Sequence, residues 1–200
     1  MRVPNRRLRL AAATEGAALV EFALVLPFLV TLYFGVVVFT AGFDLNRKLI
    51  QAGRTAADLT GRTAKMDCSA LGTNAAAAAM MLQPYDPTGT TIAIAGVTVT
   101  TVSGALQAKV AWSQARRVTA SSGALAAGTI PTGWTVNSII NPIPSGFAVT
   151  GTRFIMAKVE QNYVPVLGTS LLGTVKLSEA FNWPVRDATQ VFWNDVTTCP

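Results

Sequence analysis

The longest uninterrupted apolar stretch of the chain lies near its start, where Phe22 to Phe43 contains no charged side chain. The hydrocarbon core of a bilayer is about 30 Å thick, and about 20 apolar residues in a helix cross it. The apolar core of a cleaved secretory signal is only about 7–15 residues long, which is too short to describe this stretch. The pattern therefore predicts a transmembrane helix over about residues 22–43.

A helical pattern continues beyond the apolar stretch. Apolar residues three or four positions apart, here called the apolar stripe, are Leu45, Leu49, Ala52, Ala56 and Leu59. On the other side, Arg54, Asp58 and Arg62 are each four apart, which favours ion pairs between successive turns. One helix is therefore predicted over residues 17–65. The stripe has two interpretations: it packs on the chain's own β domain, or it packs on neighbouring subunits.

After the long helix, the pattern changes to short elements separated by turn residues. A second helix is expected over Asn74–Leu82, with Thr73 or Asn74 as its N-cap. Alternating or β-branched runs predict four strands, which are Thr91–Val102, Ala108–Ala115, Ala148–Tyr163 and Val175–Val185. The short link containing Gly104 favours a hairpin between the first two strands. The predicted fold class is α+β, with a long N-terminal helix, membrane-spanning in its first half, packed on an antiparallel sheet of about four strands.

The domain organisation that follows has three parts. Residues 1–16 form a basic leader, residues 17–65 the long helix, and residues 66–200 an exported α+β domain. Within that domain, residues 117–147 are rich in Ser, Gly, Pro and Asn and are expected to form a long loop. We expect Trp134 and residues 139–143 to attach this loop to the core.

The charge pattern argues against nucleic-acid binding. The formal net charge is +6, but four of the basic residues, Arg2, Arg6, Arg7 and Arg9, lie in the first nine positions. The rest of the sequence has no clustered basic face with interleaved aromatic residues. The positive balance is therefore largely a property of the N-terminus.

The composition also argues against an enzyme. The chain has no histidine, which removes Ser-His-Asp and Cys-His nucleophile pairs and most zinc sites. Its carboxylates are scattered and lack the spacing of a metal site or an acid–base pair. We therefore predict no catalytic residue, no metal and no cofactor.

Membrane orientation rests on two observations, because the basic residues are balanced: four precede the span, and Arg47, Lys48, Arg54 and Arg62 follow it. The arm before the span is too short to form a domain. Both cysteines, Cys68 and Cys199, lie after the span, which suits an oxidising compartment. We therefore predict a cytoplasmic N-terminus, an exported C-terminal domain and a Cys68–Cys199 disulfide. The alternative is two unrelated thiols.

A short motif precedes the span. Gly16 is followed by small or apolar residues and then by Glu21, a carboxylate at the mouth of an apolar helix. A carboxylate entering a membrane is costly and usually has a partner. The alternative is an ordinary signal anchor in which Glu21 is incidental.

The segment GAALVEFALVLPFLVTLYFGVVVF closely resembles the TadE-like family of Tad (Flp) pilus proteins. The later segment RFIMAKVEQNYVPVLGTSLLGTVKLSEAFNWPVRD resembles the C-terminal pattern of that family. In this pattern a strand leads to Tyr-x-Pro, here Tyr163 and Pro165. A hydrophobic loop follows, and then a strand that ends in a basic residue, here Arg186.

The resemblance implies a structural role. In type IV pilin-like proteins a prepilin peptidase cuts after the glycine, which here would be Gly16, and would leave Ala17 as the first mature residue. Glu21 would then be the fifth residue and could pair with the N-terminal amine of a neighbouring subunit. The implied function is a minor pilin or pseudopilin in the bacterial inner membrane, with other pilin-like or Tad assembly subunits as partners. The alternative is an uncleaved single-pass envelope scaffold that never enters the pilus.

Two glycines of the span are candidates for a close contact with another membrane helix. Gly35 and Gly42 are seven positions apart, so they lie on one face of the helix. Small residues on one face allow two membrane helices to approach closely. The alternative is the ordinary glycine content of membrane helices.

Overall fold

The computed structural model describes residues 15–165, 173–186, 191–194 and 199. The chain divides into two compact units, Met1–Gly42 and Phe43–Pro200. A long helix, α1 (Glu15–Gly61), contributes to both units. It ends four residues before the predicted end at Lys65. At Gly61 an added Cβ would lie 2.9 Å from the Pro184 carbonyl oxygen, and the Arg186 amide donates to the Gly61 carbonyl at 2.9 Å.

The second unit contains a sheet that is larger than predicted. Its elements after α1 are β1 (Lys65–Met66), α2 (Cys68–Met80), β2 (Thr91–Val102), β3 (Ala105–Val118), β4 (Leu125–Ala127), β5 (Ile139–Ile140), a 3₁₀ turn (Ser145–Phe147), β6 (Arg153–Tyr163), β7 (Val175–Pro184) and β8 (Phe192–Trp193). Six of these strands form one antiparallel sheet in the order β4-β3-β2-β6-β7, with β5 also paired to β3. The α+β class is confirmed, but six strands replace the predicted four or so, and β1 and β8 form a separate parallel pair.

The β2–β3 hairpin explains the length of its strands. Ser103 and Gly104 occupy the turn, and both have positive φ, 50° and 82°. Two such residues form the tight turn whose twist matches that of paired strands. Pairing consequently begins at Val102 and Ala105, so β3 is longer at both ends than the predicted Ala108–Ala115. The third predicted strand is shorter than expected, because β6 begins only at Arg153.

The prediction for α2 was wrong at its start. The helix begins at Cys68, six residues before Asn74, and Thr73 and Asn74 lie in its interior. Asp67 is the N-cap, since its side-chain oxygen accepts a hydrogen bond from the Ala70 amide at 2.7 Å. An aspartate that satisfies a free amide of the first turn is a favoured helix start.

The core lies on both faces of the sheet. On one face, Leu45, Leu49, Ala52 and Ala56 of the apolar stripe are at most 2% exposed and pack with α2, β2 and β6, while Leu59 is half-buried. The stripe therefore packs on the chain's own domain. On the other face, Trp134 is buried, and Ile130, Ile140, Ile143 and Phe147 pack against the same cluster. The expected attachment of the 117–147 loop is confirmed, although this loop also contains β4 and β5.

Candidate functional site

Most of the apolar part of α1 is exposed. All residues from Gly16 to Val37 are exposed, and the aromatic rings of Phe28 and Phe39 are 76% and 75% exposed. Among the described residues, α1 is the one helix that is long and apolar enough to cross a membrane. Its two threonine hydroxyls are satisfied within the helix, because Thr31 donates to the Pro27 carbonyl and Thr40 to the Val36 carbonyl. Such a surface is typical of a segment that lipid or other helices cover, which suggests a membrane anchor.

The predicted processing residues lie at the start of this helix. Gly16 and Ala17 fall in its first turn, and a Cβ added to Gly16 would meet nothing within 4 Å. Glu21 lies about 7.5 Å further along at 1.5 Å per residue. Its side chain is exposed, and none of the described ion pairs includes it. The rest of the predicted leader, residues 1–14, lies outside the described residues. The roles of Gly16, Ala17 and Glu21 remain predictions.

Gly35 also has open surroundings. A Cβ added there would meet nothing within 4 Å. Among the residues that the structure describes, no contact therefore requires a glycine at this position. Close approach of a second helix at Gly35 and Gly42 remains a prediction.

The predicted disulfide is present and ties the chain's tail to α2. Cys68, the first residue of α2, is bonded to Cys199, and their Cα atoms are 5.3 Å apart. Cys199 is buried, and its amide donates to the Gln114 side chain at 3.4 Å. The bridge therefore fixes the tail inside the core.

A second attachment of the tail was not predicted from sequence. The Trp112 indole N–H donates to the Val191 carbonyl at 2.8 Å, and the Trp112 ring stacks on Trp193 with centroids 5.5 Å apart. The two-residue strands β1 and β8 pair beside this stack. Strands this short carry no periodic pattern and therefore cannot be predicted from periodicity.

The charged side of α1 meets β7 in a cluster around Asp58. The Arg62 guanidinium lies 2.6 Å from one Asp58 oxygen. The other oxygen accepts from the Trp183 indole at 3.1 Å and lies 3.4 Å from Arg186. The predicted Asp58–Arg62 pair is therefore present. The predicted Arg54–Asp58 pair is not among the described ion pairs, because Arg54 instead lies over the Phe181 ring, 5.8 Å from its centroid.

These partners favour the ionised form of Asp58. The hydrogen bond from Arg62 is the largest influence and holds the pKa of Asp58 below its ordinary value, against the opposing effect of burial. The hydrogen bond from Trp183 and the positive charges of Arg62 and Arg186 lower the pKa further. A carboxylate whose pKa is depressed by folding stabilises the folded state above its unfolded pKa, and this contribution is lost as pH falls through the folded value.

We expect Asp58→Asn to lower the free energy of unfolding at pH 7 by about 1–2 kcal/mol, since it removes charged hydrogen bonds. The parent protein loses this contribution as pH falls through the folded pKa of Asp58, so the two proteins should differ less at about pH 2 than at about pH 7. Urea unfolding of the full chain in detergent, followed by tryptophan fluorescence across this pH range, measures the difference. A deficit of equal size at both pH values would contradict the electrostatic origin.

The C-terminal pattern has the expected order of elements. Tyr163 is the last residue of β6, Pro165 is buried just after it, and Arg186 follows β7. The hydrophobic loop between the strands, residues 166–172, lies outside the described residues. The order of strands agrees with the C-terminal pattern of the family. The family resemblance of this segment remains a prediction.

Comparison with protein families gives a match over the N-terminal helix. The model of the TadE-like protein family matches residues 16–58. The resemblance is therefore confirmed for the segment that contains the Gly16 motif, the apolar span and the charged turns that lead to Asp58. No curated protein and no solved structure matches the chain.

Proposed function

Because residues 16–58 of this chain are TadE-like, which implies a role associated with the Tad pilus, we propose that the protein is a minor pilin or pseudopilin. It would act structurally rather than catalytically in the assembly of a bacterial Tad (Flp) pilus. The observation that carries this proposal is the Gly16–Glu21 motif, placed at the start of an exposed apolar helix within the matched segment.

The proposed mechanism assigns one task to each unit. The exposed apolar helix holds the protein in the inner membrane and then packs with the helices of other subunits. Removal of residues 1–16 frees the amine of Ala17, and Glu21 pairs with the amine of a neighbouring subunit. In an apolar environment this opposite-charge pair compensates the cost of burying either charge alone. The unit from Phe43 onwards is placed on the extracytoplasmic side, which the Cys68–Cys199 disulfide supports.

Leader removal is the first test of this function. Protein purified from a host that has its prepilin peptidase should lack residues 1–16 by intact-mass measurement. Gly16→Val, the matched control, should retain the full-length mass, because the residue before the cut has changed. A full-length mass for the parent protein in that host would favour the alternative, an uncleaved anchored scaffold.

The pairing role of Glu21 is the second test. Glu21→Gln should leave membrane insertion intact and reduce co-purification of pilin-like subunits about tenfold, since a neutral amide cannot form the ion pair. Thr31→Val, an isosteric change in the same exposed helix, is the control and should co-purify like the parent. Unchanged recovery of partners with Glu21→Gln would exclude the pairing role.

A further inference from the structure

A groove lies in the Phe43–Pro200 unit, between the last turns of α1 and the end of β7. It is lined by Arg54, Thr55, Asp58, Leu59, Trp183 and Arg186 and has a volume of about 280 Å³. Arg62 borders it through its ion pair with Asp58. The guanidinium groups of Arg62 and Arg186 thus contact one carboxylate, and that of Arg54 lines the same groove. We call this site the basic groove.

The hydrogen-bond donors of the basic groove outnumber its hydrogen-bond acceptors. Each guanidinium carries five N–H groups, whereas one carboxylate offers about four acceptor positions. One of these positions already accepts from the Trp183 indole. The side chains of Arg62 and Arg186 remain 54% and 48% exposed. Arg54 is exposed and forms no described ion pair. The groove can therefore accept further negative charge.

Two of the arginines are held in place before any ligand binds. The Arg186 guanidinium lies over the Trp183 ring, 5.3 Å from its centroid, and Arg54 lies similarly over Phe181. Both distances fall within the range of favourable cation–π contacts. Fixed side chains lose less conformational entropy on binding, which increases affinity for a ligand of matching geometry.

The bilayer does not suit this groove as a binding partner. Arg54 and Arg62 lie 11 and 19 positions beyond Phe43, the last residue of the apolar stretch. At 1.5 Å per residue Arg54 is about 16 Å further along α1, and Arg62, one residue past the end of this helix, is about 28 Å further. The headgroup layer is only about 5–8 Å thick on each side of the hydrocarbon core. A partner that projects from the membrane reaches the groove more easily than a lipid does.

The Phe43–Pro200 unit of a second copy is also a poor match, because the described carboxylates of that unit already accept hydrogen bonds or ion pairs. Besides Asp58, those between Phe43 and Trp193 have local partners: Asp44 with Tyr85, Asp67 with the Ala70 amide, Asp86 with Thr88, Glu160 with Lys158 and Lys176, and Glu179 with Asn46. The described surface of this unit therefore offers no free acidic patch to the basic groove.

We propose that the basic groove is a docking site for a carboxylate-bearing segment of a partner protein. Arginine binds carboxylates through paired hydrogen bonds. Arg54 on α1 and Arg186 after β7 would therefore both bind the carboxylate of a glutamate or aspartate of the partner. The site itself does not depend on a role in pilus assembly. Only the identification of the partner as a fellow assembly subunit rests on the proposed function.

The test uses the full chain in detergent micelles and a fluorescein-labelled, glutamate-rich helical peptide. Fluorescence anisotropy should show binding that weakens with added salt, whereas the same peptide with glutamine in place of glutamate should bind at least about tenfold more weakly. Arg54→Glu should lower the affinity about tenfold, and Arg54→Gln by less. Arg117→Glu, an equal charge change at an exposed position of β3, is the control and should leave the affinity within about twofold.

Three results would overturn the proposal. The first is equal loss of affinity with Arg54→Glu and Arg117→Glu, which would indicate overall charge rather than a site. The second is no binding of the glutamate peptide by protein whose thermal unfolding is normal. The third is a loss of affinity for anionic vesicles in the Arg54 variants, with unchanged affinity for the peptide. This result would assign the groove to lipid. Failure of leader removal would leave each of these outcomes unaffected, so the two proposals are tested separately.

Discussion

Reduction of the Cys68–Cys199 disulfide should lower the free energy of unfolding of the Phe43–Pro200 unit by about 5 kcal/mol. The bridge closes a loop with a sequence separation of 131 residues. In the chain-entropy model, a loop of this length restricts the unfolded state by about that amount. For a unit of this size the melting temperature should fall by about 10–20 °C.

The comparison is made on the full chain in detergent, with and without reductant. All four tryptophans lie between residues 112 and 193, so their fluorescence reports on this unit and not on the apolar helix. The double variant Cys68→Ala/Cys199→Ala is the control and should melt near the reduced parent, with no further response to reductant. Equal melting of oxidised and reduced parent protein would show that the bridge contributes no stability.

Gly96→Ala should destabilise the same unit by about 3 kcal/mol. Gly96 lies in β2 at a register irregularity, and a Cβ added there would overlap the Trp112 indole. This indole is 4% exposed, donates to the Val191 carbonyl and stacks on Trp193. Any shift that relieves the overlap breaks these contacts. Overpacking costs about 1–3 kcal/mol, and a lost buried hydrogen bond adds about 1 kcal/mol.

Gly72→Ala is the matched control, because Gly72 lies inside α2 and its added Cβ would meet only Leu125, at 4.0 Å. Replacing a glycine in a helix by alanine stabilises by about 0.5–1 kcal/mol when no contact opposes it. Urea unfolding of the two variants should therefore move in opposite directions. Parent-like stability of Gly96→Ala would mean that Trp112 can move without losing the tail, contrary to the described packing.

Reduction of the disulfide and Gly96→Ala both weaken the attachment of the tail. They should lower the stability of the unit without lowering the affinity of the basic groove for the peptide. The groove is formed by α1 and β7, whereas Trp112 and Cys199 lie around β3 and the tail. Below the melting temperature of each variant, we therefore expect the glutamate peptide to bind as it binds the parent. This separates a general loss of folding from a loss of the docking site.

The sequence alone determined the features that depend on neighbouring residues. The membrane span, the apolar stripe and the β2–β3 hairpin follow from local composition and periodicity, because a helix or hairpin repeats the same contact every few positions. The disulfide was predictable because the chain has only two cysteines. The family resemblance came from a contiguous segment, and the matched family model covers that same segment.

Tertiary structure decided the features that join distant parts of the chain. Asp58 meets Trp183 and Arg186 across more than 120 positions, and Trp112 meets Val191 across 79. The start of α2 was set by Asp67, although the alanine run suggested a later one. Strands β4, β5 and β8 have two or three residues each, too few for a pattern to appear. β4 and β5 become strands because the longer β3 offers unpaired backbone groups, whereas β8 pairs with the equally short β1. A charged residue likewise takes its partner from whichever element the fold places beside it.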